Sequence, residues 1–325
     1  GDRRRRTALR SRERPAADLT GPMRISLAAA PANSLVYARS ASLVVLAGIL
    51  WSMGGFLVKL VEHADSMQIV LYRSLFVIPV AAGFMVFRGA DLVRSTLALG
   101  WNGLFGAVCL AAAFVTFVTA LTLTTVANAA FVLATTPFAA ALLGRLFLSE
   151  SVRPSTWLAM ALAASGVAVI ALPGLGPGRL AGTLLALASC LSFALFSITL
   201  RRGRSLDGTP SLLMAAILAA AACAVLILLL DGPSGLVINH RDVLACSVMG
   251  VVQIGCGLVA FTAGSRHLPA ADLALLTQTE VVLAPVWAWL VVGEIPAFWT
   301  MVGGTMVLAA VTLQAVAGAR RTVWP

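Results

Sequence analysis

The chain has 325 residues, of which 60% are hydrophobic and only 11% charged. A water-soluble globule needs more polar surface than that composition supplies, so most of the surface must face lipid. The net charge of +10 does not indicate nucleic acid, because its arginines crowd the N-terminal tail and the joints between apolar runs.

The first stretch, residues 1–38, holds Arg3 to Arg6, Arg10, Arg12 and Arg14 and has no apolar run able to cross a bilayer. It is expected to be a disordered basic tail rather than a signal peptide, since the first apolar run starts late and others follow it. Met23 stands just ahead of that run, so residues 1–22 could come from an upstream frame extension. Ten apolar runs follow, near 41–60, 67–87, 97–121, 126–147, 155–172, 181–200, 211–230, 243–264, 272–292 and 298–317. Each approaches the length of a bilayer crossing, about 20 residues. The connections are short, so no soluble domain is hidden between the runs. Residues 319–325 form a short tail.

Alternate connections differ in charge. One side collects the N-terminal arginines, Arg39, Arg88, Arg94, Arg145, Arg153, Arg201, Arg202, Arg204, Arg266, Arg320 and Arg321, while the other has Lys59, Arg179 and Arg241. The positive-inside rule therefore places both termini in the cytoplasm, and the protein as a multi-pass component of the cell inner (plasma) membrane.

A displacement of 144 residues lays Glu150 on Glu294, Thr135 on Thr279 and Phe117 on Phe261, with Pro137 and Pro285 one turn out of register. The repeat divides the chain into residues 39–175 and 176–318. Five crossings per half is an odd number, so the halves enter the bilayer from opposite sides. The expected fold is all-α and integral to the membrane: ten transmembrane helices as two inverted five-helix repeats around a central cavity. Inverted repeats can exchange conformations about one site, which is the logic of alternating access.

These features resemble the drug/metabolite transporter superfamily, specifically proteins with two tandem EamA domains. The likeness covers residues 41–317 and rests on LAGILWSMGGFLVKL, QIVLYRSLF, ANAAFVLATTPFAAALLGRLFLSE and ADLALLTQTEVVLAPVWAWLVVGE. Membership implies cytoplasmic termini, a central cavity and transport of metabolites, amino acids or drugs. Val281 stands where strict repetition would place proline, so the two halves are not functionally equal.

Arg73 lies about two turns inside the second run, where a central arginine costs roughly 2.5–3.5 kcal/mol on insertion scales. It could face the cavity and attract a carboxylate or other anionic part of a solute, or it could snorkel to the headgroups. Glu280 is the deepest acid; it could exchange a proton during transport and couple it to a gradient, or simply donate a hydrogen bond between helices. Trp51, Asn102, Asn128, Thr136, Gln253, Gln278 and Trp287 are further candidates for lining a solute site, with interhelical packing as the alternative. Pro137 and Pro285 offer bending points, and Glu150 and Glu294 are expected to be structural, held by Arg153 or by the N-terminus of a neighbouring helix. Cys109, Cys190, Cys223, Cys246 and Cys256 lack metal or disulfide spacing and read as packing residues.

No HExxH, phosphate loop or histidine cluster is present: His63, His240 and His267 are scattered. No catalytic residue, cofactor or metal is expected. The partners are a small-molecule solute and membrane lipids. The leading reading is a secondary transporter, as an exporter; the alternatives are an intramembrane enzyme acting on a lipid-linked substrate, or a channel.

Overall fold

A computed structural model describes residues 30–149, 152, 154–171, 177–202, 208–265, 268 and 270–319. Glu150 and Arg153, named above, lie outside the described residues. The chain divides into Gly1–Val36 and a compact body, Tyr37–Pro325; the second is the subject here.

Every regular element among the described residues is helical. In chain order they are α1 (Ala30–Ser52), α2 (Gly54–Lys59), α3 (Ser66–Phe87), α4 (Leu92–Leu97), α5 (Gly100–Leu123), α6 (Val126–Leu133) and α7 (Thr136–Leu148). There follow α8 (Pro154–Ala171), α9 (Pro177–Arg202), α10 (Thr209–Leu230), α11 (His240–Val248), α12 (Gly257–Ser265), α13 (Ala270–Trp287) and α14 (Phe298–Ala319). A π-helical stretch, Met249–Cys256, joins α11 to α12, and a second, Ala288–Val292, continues α13.

Seven stretches are long and apolar enough to cross a bilayer: Val36–Lys59, Ser66–Phe87, Gly100–Leu123, Val126–Leu148, Leu180–Leu200, Thr209–Leu230 and His240–Ser265. Thr156–Ile170, Leu276–Val292 and Phe298–Leu313 are shorter apolar helices. Leu158, Leu184, Leu229 and Leu290 project outward with most of their surface exposed, the pattern of helices that face hydrocarbon as well as each other.

Local chemistry sets the helix ends. Asp65 and Gln68 form a reciprocal capping box at the start of α3. Asp91 caps α4 and Thr125 caps α6 through their side chains. Gly293, at φ 73°, closes the second π stretch in a left-handed turn that a side chain would strain.

Pro137 differs from the sequence expectation of a helix-interior proline. The fourth run breaks at Ala134–Thr135, and Pro137 occupies the first turn of α7, where a missing N–H leaves nothing unpaired. The carbonyl of Leu133, four residues back, receives the Thr136 hydroxyl at 2.5 Å instead, and Val132 O receives that of Thr135 at 2.7 Å. Pro285 does lie inside its helix, α13.

One end of the bundle is tied by side-chain bonds. Buried Asp242, in the first turn of α11, accepts from the backbone N–H groups of Glu62, His63 and Ala64 at 3.2, 3.1 and 2.9 Å. Gln68 donates to Gly235 O and Tyr72 to Leu236 O, each at 2.7 Å. Elsewhere α8 and α14 touch backbone to backbone: a Cβ on Gly166 would sit 2.7 Å from Gly303 O, and one on Gly303 would collide with Gly166 O. Small residues permit that approach between membrane helices.

Gly303→Leu should destabilise the folded protein by about 1–3 kcal/mol, visible as a lower thermal midpoint in detergent. Gly83→Ala, whose Cβ would meet nothing within 4 Å, should leave that midpoint unchanged or slightly raised. Asp242→Ala should cost on the order of 3 kcal/mol by leaving three amides without their charged acceptor, with Asp242→Asn intermediate in the same assay.

Candidate functional site

The first apolar run is not one helix. It breaks at Met53, between Ser52 and Gly54, where Met53 N bonds Leu50 O at 3.2 Å in a tighter turn. A break at this depth frees backbone groups that lipid cannot satisfy, so other helices must supply partners. Gln253 Nε2 donates to Trp51 O at 3.3 Å, and Trp287 Nε1 donates to Ser52 Oγ at 3.0 Å. Ser52 Oγ in turn donates to Ile49 O at 2.6 Å.

The partners sit on the irregular stretches of the second half. Gln253 belongs to the π stretch Met249–Cys256, and Trp287 immediately precedes the other. Such insertions into a helix re-aim side chains and recur at functional sites. Glycines make room for these side chains: a Cβ on Gly54 would sit 2.7 Å from Gln253 Nε2, and one on Gly257 would collide with the Trp51 indole. The Trp51 and Phe261 rings pack at a tilt of 40° with centroids 5.3 Å apart, and those of Phe56 and Trp287 at 52° and 6.4 Å. One turn before Trp51, a Cβ on Gly48 would lie 3.4 Å from the backbone nitrogen of Glu280. Glu280 and Gln278 are both half-buried on α13. The structure thus gathers Trp51, Gln253 and Trp287 around one broken helix and sets Glu280 beside it. Gln253 Oε1 is buried without a hydrogen-bond partner.

Arg73 is 4% exposed, and its Nε and Nη2 are buried with no hydrogen-bond partner. Its guanidinium carbon lies 4.9 Å from the centre of the Phe114 ring on α5. The link to the centre is the backbone: a Cβ on Gly250, in the first π stretch, would sit 2.7 Å from Arg73 O.

The remaining candidates gather along α9 rather than at the break. Asn128 Nδ2 donates to Thr124 Oγ1 at 2.6 Å and to Thr183 Oγ1 at 2.9 Å, while its Oδ1 is buried and unpartnered. The Thr136 hydroxyl meets Cys190 Sγ at 3.5 Å. Asn102 Nδ2 donates to Thr199 O at 2.7 Å, beside a cavity of about 150 Å³ lined by Phe105, Phe147, Leu195 and Arg202. A larger cavity, about 270 Å³, lies between the end of α3 and the start of α10, against Arg88, Ser95 and Thr209.

Glu294 accepts from Val126 N, the first amide of α6, at 2.7 Å. Lys59 Nζ donates to Thr124 O at 2.9 Å, one residue before the cap of that helix. These bonds extend the tied end from the Asp242 cluster across to the start of α6. Ser52, Lys59, Phe114 and Asp242 were not among the residues singled out from sequence. Asp242 and Lys59 carry a signal in hindsight, as lone charges at the edges of apolar runs; Ser52 and Phe114 carry none.

No curated protein matches the chain. One solved structure, described only as the crystal structure of a protein, is similar over 88% of this chain and 99% of its own, at 18% identity and a TM-score of 0.61. At that identity the likeness concerns the fold alone. The family model described as the EamA-like transporter family matches twice, over residues 38–172 and 180–315. Two tandem matches to a family of transporters, on a chain of many apolar helices, make this a multi-pass membrane protein that belongs to the EamA-like transporter family.

Proposed function

We propose that the protein is a secondary transporter that exports a small metabolite, amino acid or drug-like solute by alternating access. In this reading ten crossings form two inverted five-helix halves about a central site, with both termini in the cytoplasm of a cell whose inner membrane holds the protein. The observation that carries the proposal is the broken first helix. The Trp51 carbonyl freed by the break and the adjacent Ser52 hydroxyl are held by Gln253 and Trp287, side chains of the second family match. A helix interrupted inside the bilayer, facing irregular helices of the opposite repeat, is the arrangement from which transporters build solute sites.

The two hydrogen bonds are few and exchangeable, which suits a contact that must reform in another geometry. The tied end supports the same reading. Bonds from Asp242, Gln68, Tyr72, Lys59 and Glu294 draw that end together, and the distribution of arginine puts it outside. In this reading the tied end is the outward gate in its closed form. Glu280 is the group proposed to couple transport to protons, since it is an acid beside the break and has no counterpart in Thr136, its partner under the repeat.

A screen of amino acids, sugars, nucleosides and cationic drugs against the thermal midpoint of purified protein identifies the solute, because a specific binder stabilises by mass action. With that solute in proteoliposomes, Trp287→Phe should slow flux about tenfold while the fold persists. Glu280→Gln should retain exchange but lose acceleration by an imposed pH gradient; wild-type flux in both variants would remove these residues from the mechanism. In a cysteine-free background, Lys59→Cys should react with an impermeant maleimide in intact cells, and Arg88→Cys only after permeabilisation. The reverse pattern would overturn the orientation.

A further inference from the structure

We infer that Arg73 is the docking point for a single carboxylate on the transported solute, held side-on by its Nε and Nη2; this rests on the transporter reading above. The two unpartnered nitrogens are not an arbitrary pair. Nε–H and the adjacent Nη2–H point the same way from one edge of the guanidinium, spaced to meet the two oxygens of a carboxylate in parallel. Phe114 covers the cation from the face of its ring at 4.9 Å, which fixes the group without consuming either donor.

Among the described residues no acceptor meets that edge, which is enclosed by the surrounding helices. Cys246 and Cys223 are ionisable side chains close enough to act on Arg73, and thiols are weak acceptors. Cys223 is turned to Met67 Sδ at 3.9 Å, and Cys246 to Ile69 O at 4.0 Å. The nearby acids are engaged elsewhere. Asp65 takes Gln68 N in the capping box, and Asp242 takes three amides of residues 62–64. Among the described residues no side chain accepts from that edge, so an anion from outside the chain completes the pair, and the two donors of one edge match the two oxygens of one carboxylate.

Occupation has a route to the centre. The backbone of Arg73 rests on Gly250, in the same π stretch that carries Gln253. Any adjustment of α3 on binding is transmitted to the residue that holds the break in the first helix.

The test uses the full-length protein in detergent, with sodium acetate as the probe against sodium chloride at equal ionic strength and against acetamide, which lacks the charge. Acetate should raise the thermal midpoint of the wild type above both controls. In Arg73→Lys, which keeps the charge and loses the fork, the apparent acetate affinity should fall at least tenfold, and in Arg73→Gln the increment should vanish. Lysine also guards against a variant that fails to fold for want of a cation. An acetate increment equal to that of chloride in the wild type, or retained in Arg73→Lys, overturns the assignment. Flux separates the two readings. A carried solute whose uptake ignores both acetate and Arg73→Lys leaves the transporter standing and removes the carboxylate site. Acetate binding at Arg73 with no solute of the screen carried would do the opposite.

Discussion

A backbone that enters hydrocarbon must satisfy its own polar groups, and the body of this protein is arranged around the places where it does not. The helix breaks between α1 and α2 at Met53 and between α6 and α7 at Ala134–Thr135, and it loosens into π geometry after α11 and α13. The two breaks are met by side chains. At the α6–α7 joint the Thr136 and Thr135 hydroxyls take carbonyls of the same run, whereas at the α1–α2 joint Gln253 takes the Trp51 carbonyl and Trp287 the Ser52 hydroxyl, both from the second family match. Local repair makes a fixed kink; repair from a distant helix makes a joint whose stability depends on how the halves sit. That difference singles out the first helix.

Packing supports the distinction. Where helices meet through glycine against backbone, as α8 and α14 do at Gly166 and Gly303, the contact is all or nothing, because a carbonyl oxygen cannot turn aside. Around the break the partners are an amide, an indole and a phenyl ring, which have rotamers to exchange. The stiff contact lies between two helices of matched apolar length, and the adaptable ones surround Trp51 and Phe261. A transporter needs both kinds, one to hold its scaffold and one to change.

Much of this was legible in the sequence. Apolar length marked the helices, and charge asymmetry with the 144-residue displacement suggested two halves. Arg73 could be singled out because depth in an apolar run is visible without coordinates, as could Glu280. What the sequence withheld was pairing. The break at Ser52 leaves no signature, because Gly54 and Gly55 serve close packing as readily as a chain interruption. Asn102, Asn128 and Thr136 were grouped with Trp51 as cavity candidates, yet they line α9, since an amide reads the same whichever helix it faces. Pro137 looked like its counterpart Pro285, but a proline opens a helix or bends one according to what accepts the carbonyl four residues earlier, and that depends on neighbouring threonines. Asp242 was passed over because its three amides lie nearly 180 residues away.

The Glu294 contact bears on how such a chain is made. Val126 N begins α6, and its acceptor lies 168 residues further along the chain. During synthesis the first half is therefore made with the leading amide of that helix unfinished, and the acid that completes it arrives only after α7 to α13 have followed. The earlier half waits for the later one, so this end of the first half is completed only when the second is in place.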